Sequence, residues 1–477
     1  MSPDHTTTPS LRRHPDVTSV VVVSNRGPVS FTSTADGRLE SRRGAGGLVS
    51  GIGPVVAEAG ATWIAAALSE GDRAAAARGR LEAEGFTVRL LDIDDADLRG
   101  AYDVISNATL WFLHHGLWDL SRRPRFDDRW FEAWEAFRRF NRRFADAVVE
   151  EAPDSGVVLV QDYHLSLVGA MVTGTRPDLA TVHFSHTPFA PPDWLRVLPD
   201  RVQSELVAGL AANRACGFHT SRWAEAFRAC CEAEGVAAPP TFVSPLPADV
   251  DGLSEIAGGE AVAGELDALE RRIGGRRLIA RVDRVELSKN LLRGFAAYEL
   301  LLESRPDLHG EVVFGAFVYP SREGLPEYLA YRQEVESTAR RLNDRFGRAG
   351  WEPVLLDTGD QFARSVAALV RYDVLLVNPI RDGLNLVAKE GPLVNRRDGV
   401  VVLSREAGVF DELRAAGAAD SVIAVNPFDI TATATALAAA LDLPAEARAH
   451  RAGVLATTVR QRSAADWLSE QLTAGEA

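Results

Sequence analysis

The chain has 477 residues, 46% of them hydrophobic and 25% charged, which excludes a disordered or fibrous protein and suits two large domains or three small ones. Lys and Arg total 52 against 66 Asp and Glu, a formal charge of −14, which argues against a generic binder of nucleic acid or of an anionic membrane. An anionic small substrate would need a local cluster of Arg and Lys working against that field.

Met1 to Asp16 is polar, carries Pro3, Pro9 and Pro15, and lacks the apolar stretch of a secretory signal, so a loose arm is expected over 1–17. Val20 to Val23 is an all-apolar β-branched run, the pattern of a strand covered on both faces. Similar runs recur at Val157–Val160, Leu278–Ala280, Val312–Phe314, Val374–Val377 and Val400–Leu403. Between them lie helical periodicities, the clearest placing Trp130, Trp134, Phe137, Phe144 and Val148 on one face. The Ala-rich stretch Ala432–Ala440 also reads as helix. Alternating buried strands and amphipathic helices predict an α/β fold with two doubly wound, Rossmann-like domains facing one another across a cleft. The glycine-rich stretch Ala248–Gly275, with a short helix expected around Leu266–Ile273, marks the boundary. The expected domains are 18–255 and 256–450, with 451–477 as a helical segment returning toward the first.

Three cysteines, Cys216, Cys230 and Cys231, make neither a disulfide framework nor a CxxC spacing, which suits a reducing cytoplasm. No apolar run approaches the roughly 20 residues that span a bilayer. The sequence leaves the oligomeric state open, and a homo-oligomer is compatible with it.

In parallel sheets ligands bind beyond the carboxyl ends of the strands, so the residues just after each apolar run are the candidates. Arg26 follows the first strand, and Gly46-Gly47 opens a helix whose free N–H groups favour anions, although a plain turn explains the glycines equally well. Tyr102 and Trp111 flank Ser106-Asn107 and read, on their own, as core aromatics. Asp162 follows a strand as a polyol ligand or a helix cap, and His186 follows another as a ligand or a structural histidine. Arg284 and Lys289 at a strand-to-helix turn could converge on a diphosphate, or form a solvated basic edge. Arg322 is an anion ligand or a surface arginine. Asp382 and Gly383 lead from a buried strand into a helix whose Leu384, Asn385 and Leu386 amides could cap a phosphate, with Asp382 on sugar hydroxyls and Glu390 two turns on beside a ribose.

In their order and spacing these motifs resemble the trehalose-6-phosphate synthase family, retaining nucleotide-sugar glucosyltransferases of the glycosyltransferase-B fold. The resemblance rests on Ser24-Asn25-Arg26, Gly46-Gly47-Leu48, Tyr102 to Trp111, Gln161-Asp162-Tyr163-His164, His186-Thr187-Pro188, Arg284 to Lys289, Ser321-Arg322 and Arg381 to Glu390, and covers nearly the whole chain. It implies that Arg26, Tyr102, Trp111 and Arg322 hold the acceptor's 6-phosphate and Asp162 its hydroxyls. It implies that Gly46 and Gly47 border the donor diphosphate, that Arg284 and Lys289 neutralise it, and that His186 and Asp382 orient the donor glucose. Leu384, Asn385 and Leu386 would then face the donor phosphate, and Glu390 the ribose.

The implied reaction moves glucose from a nucleotide diphosphate glucose to glucose 6-phosphate with retention, without a carboxylate nucleophile and without a metal or other cofactor. Asp92-Ile93-Asp94, Asp95-Ala96-Asp97 and Asp249-Val250-Asp251 are metal-type triplets outside the motifs and read as exposed acidic loops. Glu286 stands where many relatives carry Asp, and Ala316 to Pro320 looks like the actinobacterial branch, tilting the donor base from uracil toward guanine. Gly391-Pro392-Leu393-Val394-Asn395 resembles pseudo-glycosyltransferases that join cyclitols, the alternative enzyme; a non-catalytic sugar-phosphate sensor is the other.

Overall fold

The computed structural model describes residues 20–476 apart from 35–37, 45–48, 50–52, 54–55 and 58–59. The arm expected over 1–17 lies outside the described residues, as do Gly46 and Gly47.

The first lobe carries β1 (Val20–Val23), β2 (Val29–Ser33), β3 (Leu39–Arg43), β4 (Thr62–Ala66), β5 (Arg80–Ala83), β6 (Phe86–Leu91), β7 (Val157–Gln161), β8 (Ala180–Ser185), β9 (Ala215–Phe218) and β10 (Thr241–Val243). Eight of them form one sheet in the order β10-β9-β8-β7-β1-β4-β6-β5, parallel except for the β5–β6 pair, while β2 and β3 make a separate hairpin. Val20 and Val22 enter one hydrophobic core and Val21 and Val23 another, so the apolar run is covered on both faces as its composition predicts.

The second lobe carries β11 (Arg277–Arg284), β12 (Val312–Tyr319), β13 (Val354–Asp357), β14 (Val374–Val377), β15 (Val400–Ser404) and β16 (Ile423–Val425). They form an all-parallel sheet in the order β13-β12-β11-β14-β15-β16. β11 and β12 outrun their apolar cores because they pair in register from Arg277↔Val312 to Arg284↔Tyr319. That extra pairing carries the polar ends of both strands to the cleft.

The amphipathic helix forms over Asp128–Glu151, buries the predicted aromatic face, and is capped by Asp127, whose Oδ1 accepts from Trp130 N–H at 3.0 Å. The Ala-rich helix spans Ile430–Asp442. The lobes divide slightly differently from expectation. Helices Val250–Gly258 and Glu260–Ile273 already pack on Phe362–Arg371 of the second lobe, and Ala445–Val459 stays there too, against Val387–Val394. The chain therefore leaves the first lobe before residue 250 rather than at 255. It returns after Val459 rather than at 450, when helix Ala464–Glu476 lies across β7, β8 and β9. Trp467 anchors that return, fully buried with its Nε1 donating to Ser244 O at 3.1 Å. Among the described residues no helix is long and apolar enough to cross a membrane.

Candidate active site between the lobes

The strand ends of both sheets converge where the lobes touch. They meet tightly at Gly383, where a side-chain carbon would fall 1.9 Å from the carbonyl oxygen of His186. Only glycine fits there, and its own carbonyl accepts from Trp223 Nε1 at 3.1 Å. The preceding Arg381 reaches into the first lobe between the rings of Trp194 and Trp223, 4.5 and 4.6 Å from their centroids, and donates to Phe189 O at 2.8 Å. These contacts fix the turn after β14 against the ends of β8 and β9.

A cationic cluster lies beside this seam. Arg322, with φ of 47°, is not a surface arginine: its side chain is 10% exposed and spans the lobes. Its Nε donates to Asn107 Oδ1 at 2.7 Å, its Nη1 to Glu286 Oε1 at 2.8 Å and to Tyr328 Oη at 3.0 Å, and its Cζ lies 4.0 Å from the centroid of Trp111. Arg284 pairs with the other oxygen of Glu286 at 3.1 Å and lies 5.6 Å from the same indole. Burial pushes the Glu286 carboxyl up, but Arg284 and Arg322 together outweigh it and hold it down at about 2. Lys289 Nζ donates to Asp382 Oδ2 at 2.6 Å. Burial opposes both charges of that pair, yet their mutual attraction raises the Lys289 ammonium above and lowers the Asp382 carboxyl below its ordinary value. Arg284, Lys289, Arg322 and Asp382 are thus gathered, and the basic edge imagined as solvated is largely enclosed.

The acceptor-side candidates stand on an unusual helix. Gly100–Leu110 is π-helical and runs into the α-helix Trp111–His115, with Trp111 N–H bonded to Ser106 O, five residues back. This wide turn puts Tyr102, Asn107 and Trp111 on one side. Tyr102 stacks near His164 at 5.8 Å; burial would raise its phenol, but Arg26 and Arg322 lower it overall. Trp111 Nε1 is buried and has no hydrogen-bond partner among the described residues. Arg26 is exposed at the end of β1. Asp162, at φ 72° and ψ 167°, occupies a region normally left to glycine, and its Oδ1 accepts from His186 N–H at 3.2 Å. Burial lifts its carboxyl to about 6 against the pull of the Tyr163 and His186 amides.

His186 reaches the cleft through its backbone. Both ring nitrogens are engaged, Nδ1 by His219 at 3.2 Å and Nε2 by Gln161 Oε1 at 3.0 Å, and the residue is half-buried. On the donor side Leu384 is buried, Asn385 has φ of 82°, and its Oδ1 accepts from Ala388 N–H at 3.3 Å at the start of helix Val387–Val394, beside Leu386. Burial and the neighbouring Asp249 push the Glu390 carboxyl up to about 7. The partners of Arg322, namely Asn107, Tyr163 (Nη2 to Oη 3.5 Å) and Tyr328, escape the sequence reading; the one signal was a polar Asn107 in a largely apolar helical stretch.

The model of glycosyltransferase family 20 matches residues 18–476. The chain belongs to glycosyltransferase family 20. It is 33% identical over 460 residues to the trehalose-6-phosphate synthase of Mycolicibacterium vanbaalenii, covering 90% of each chain. It is 30% identical to the bifunctional trehalose-6-phosphate synthase/phosphatase of Thermoproteus tenax, of which it spans 62%. Among solved structures it resembles the E. coli protein bound with UDP-2-fluoro glucose (TM-score 0.84, 27% identity, 96% of this chain and 99% of that one). A second is the UDP-forming α,α-trehalose-phosphate synthase of Burkholderia xenovorans in complex with glucose-6-phosphate (TM-score 0.82, 26% identity, 96% and 100%). The resemblance to the trehalose-6-phosphate synthase family and the two-lobed α/β fold are borne out.

Within this glycosyltransferase the Gly391-Pro392 departure is a packing feature. A side chain at 391 would meet Leu375 Cδ2 at 2.6 Å, and Pro392, Leu393 and Val394 are buried. Asp94 and Asp249 cap helices, and Asp97 pairs with Arg139 at 2.6 Å. Among the described residues no three His, Cys, Asp or Glu side chains converge as a metal site.

Proposed function

We propose that this glycosyltransferase is an α,α-trehalose-phosphate synthase that moves glucose from UDP- or GDP-glucose to glucose 6-phosphate with retention. The carrying observation is the cluster of Arg284, Arg322 and Lys289 beside the seam where Gly383 meets His186, with the indole N–H of Trp111 unpaired among the described residues. An anion offers that N–H an acceptor and the cluster a second negative partner. The relatives named UDP-forming support uracil as the donor base, and the guanine alternative rests on Ala316 to Pro320 alone.

On this reading the acceptor phosphate sits among Arg26, Tyr102, Trp111 and Arg322, with Asp162 on the sugar hydroxyls. Lys289 and Arg284 face the donor diphosphate. The bond from the anomeric carbon to the diphosphate breaks, a bond to the acceptor hydroxyl forms on the same face, and the acceptor proton leaves on a donor phosphate oxygen. The protein supplies position and charge. No residue is assigned to a metal. His186 braces the site through its amide, which donates to Asp162, and its carbonyl, which meets Gly383. The resemblance gives His186 and Asp382 together the orienting of the donor glucose, and Asp382 stands beside Lys289 for that role.

Incubation with glucose 6-phosphate and either donor should release the nucleoside diphosphate and form trehalose 6-phosphate. No turnover with both donors would overturn the reading, and the preferred donor settles the base. Offering a nucleotide cyclitol with an aminocyclitol phosphate separates the coupling alternative.

A further inference from the structure

The ring of His186 belongs to a chain of hydrogen bonds whose direction is set at one end. Leu246 N–H donates to His219 Nδ1 at 3.3 Å, so that nitrogen is the acceptor and the proton of a neutral ring falls on Nε2. His219 Nε2 lies 3.2 Å from His186 Nδ1, which receives that proton. His186 then carries its own proton on Nε2, 3.0 Å from Gln161 Oε1. With its oxygen so committed, the Gln161 amide turns its nitrogen to Gln471 Oε1 at 3.2 Å. A backbone amide cannot reverse, and so each later bond has one polarity. Burial keeps both rings neutral, lowering His186, with His183 nearby, to about 3 and His219 well below its ordinary value.

We infer that His219 and Gln471 are positioning residues that lock His186 as its Nε2–H tautomer and so hold residue 186 in place for the reaction. Its N–H braces the Asp162 carboxylate, and its carbonyl seats the Gly383 turn of the other lobe. The two ends of the chain are the two crossings between lobes: Leu246 lies on the outward segment and Gln471 on the returning helix Ala464–Glu476. Lobe geometry is therefore read at one imidazole. Ser244 O also lies beside the His219 ring and accepts from Trp467 Nε1 at 3.1 Å, but a proton on His219 Nδ1 aimed at it would leave the Leu246 N–H without its acceptor.

The inference rests on the transferase reading only where turnover is measured. Neutron diffraction from deuterium-exchanged crystals of the full chain reads the tautomers directly. Deuterium is expected on Nε2 of both His186 and His219. Deuterium on Nδ1 of either ring, including one aimed at Ser244 O, overturns the inference. His219→Gln keeps a donor amide near the place of Nε2, whereas His219→Phe fills the volume and donates nothing. The Phe variant is expected to lose about tenfold or more in kcat and the Gln variant less than about threefold, the difference being one buried group left unpaired. A Phe variant as active as the Gln variant would mean that residue 219 supplies only volume, and would overturn the inference. Absence of turnover by the unsubstituted protein tells against the transferase reading alone, and the deuterium positions then decide.

Discussion

Lys289 Nζ and Asp382 Oδ2 lie 2.6 Å apart, joining the turn after β11 to the turn after β14. Both side chains are largely enclosed, at 13% and 15% exposure, so the pair is held in a low-dielectric seam and water screens it poorly. On the proposed reaction a departing diphosphate would compete with Asp382 for the ammonium. Lys289→Met should therefore lower kcat by about 2.7–4 kcal/mol in barrier terms, the cost of losing one preorganised charge ligand. Single-turnover rates with saturating acceptor measure it; a turnover number close to that of the parent would remove Lys289 from the leaving-group site.

Gly383 meets the His186 carbonyl so closely that any side chain must part the lobes there. Gly383→Ala is expected to leave each lobe folded and to cost about a hundredfold in kcat/KM, the penalty of misplacing reacting groups by about an ångström. Small-angle scattering and circular dichroism separate displacement from unfolding. A fully active Ala variant would show that the contact does not set the catalytic geometry.

Arg26 is exposed at the end of β1 and acts on the Tyr102 phenol. Arg26→Ala should raise KM for glucose 6-phosphate while changing little with glucose as acceptor. Equal losses with the two acceptors would mean that Arg26 does not read the phosphate.

The Asp162 carboxyl binds its proton more tightly in the folded protein than in the unfolded chain, at about 6 against an ordinary 3.8. Between those values the native state is the more protonated, so this group's contribution to stability falls as pH rises from 3.8 and is fully lost above about 6. Asp162→Asn cannot ionise and escapes that loss. The melting temperature of the Asn variant, relative to the parent, should climb as pH is raised from about 4 to about 7. A pH-independent difference would show that burial does not hold this carboxyl protonated.

The buried strands were legible because the Val-rich runs are covered on both faces, and so was the strand-end position of Arg284, Lys289 and Asp382. What escaped depends on pairs remote in the chain. Arg322 read equally as an anion ligand or a surface residue, and only Asn107 and Glu286, brought to its guanidinium from other elements, decide between them. Trp111 looked like core and is indeed buried; burial alone cannot distinguish a fully satisfied indole from one whose N–H has no partner among the described residues. The histidine at 186 was placed correctly at a strand end, but its ring is taken up by His219, for which periodicity holds no signal.

The π-helical stretch Gly100–Leu110 has an implication for how this segment can change over time. Dropping one residue inside it would change the winding between Tyr102 and Trp111, where a single residue of α geometry carries about 100° of turn. The Trp111 indole would then leave the Arg322 guanidinium, and no point substitution nearby could swing it back. Between Tyr102 and Trp111 the count of residues is therefore constrained as firmly as the identity of Asn107, which holds Arg322.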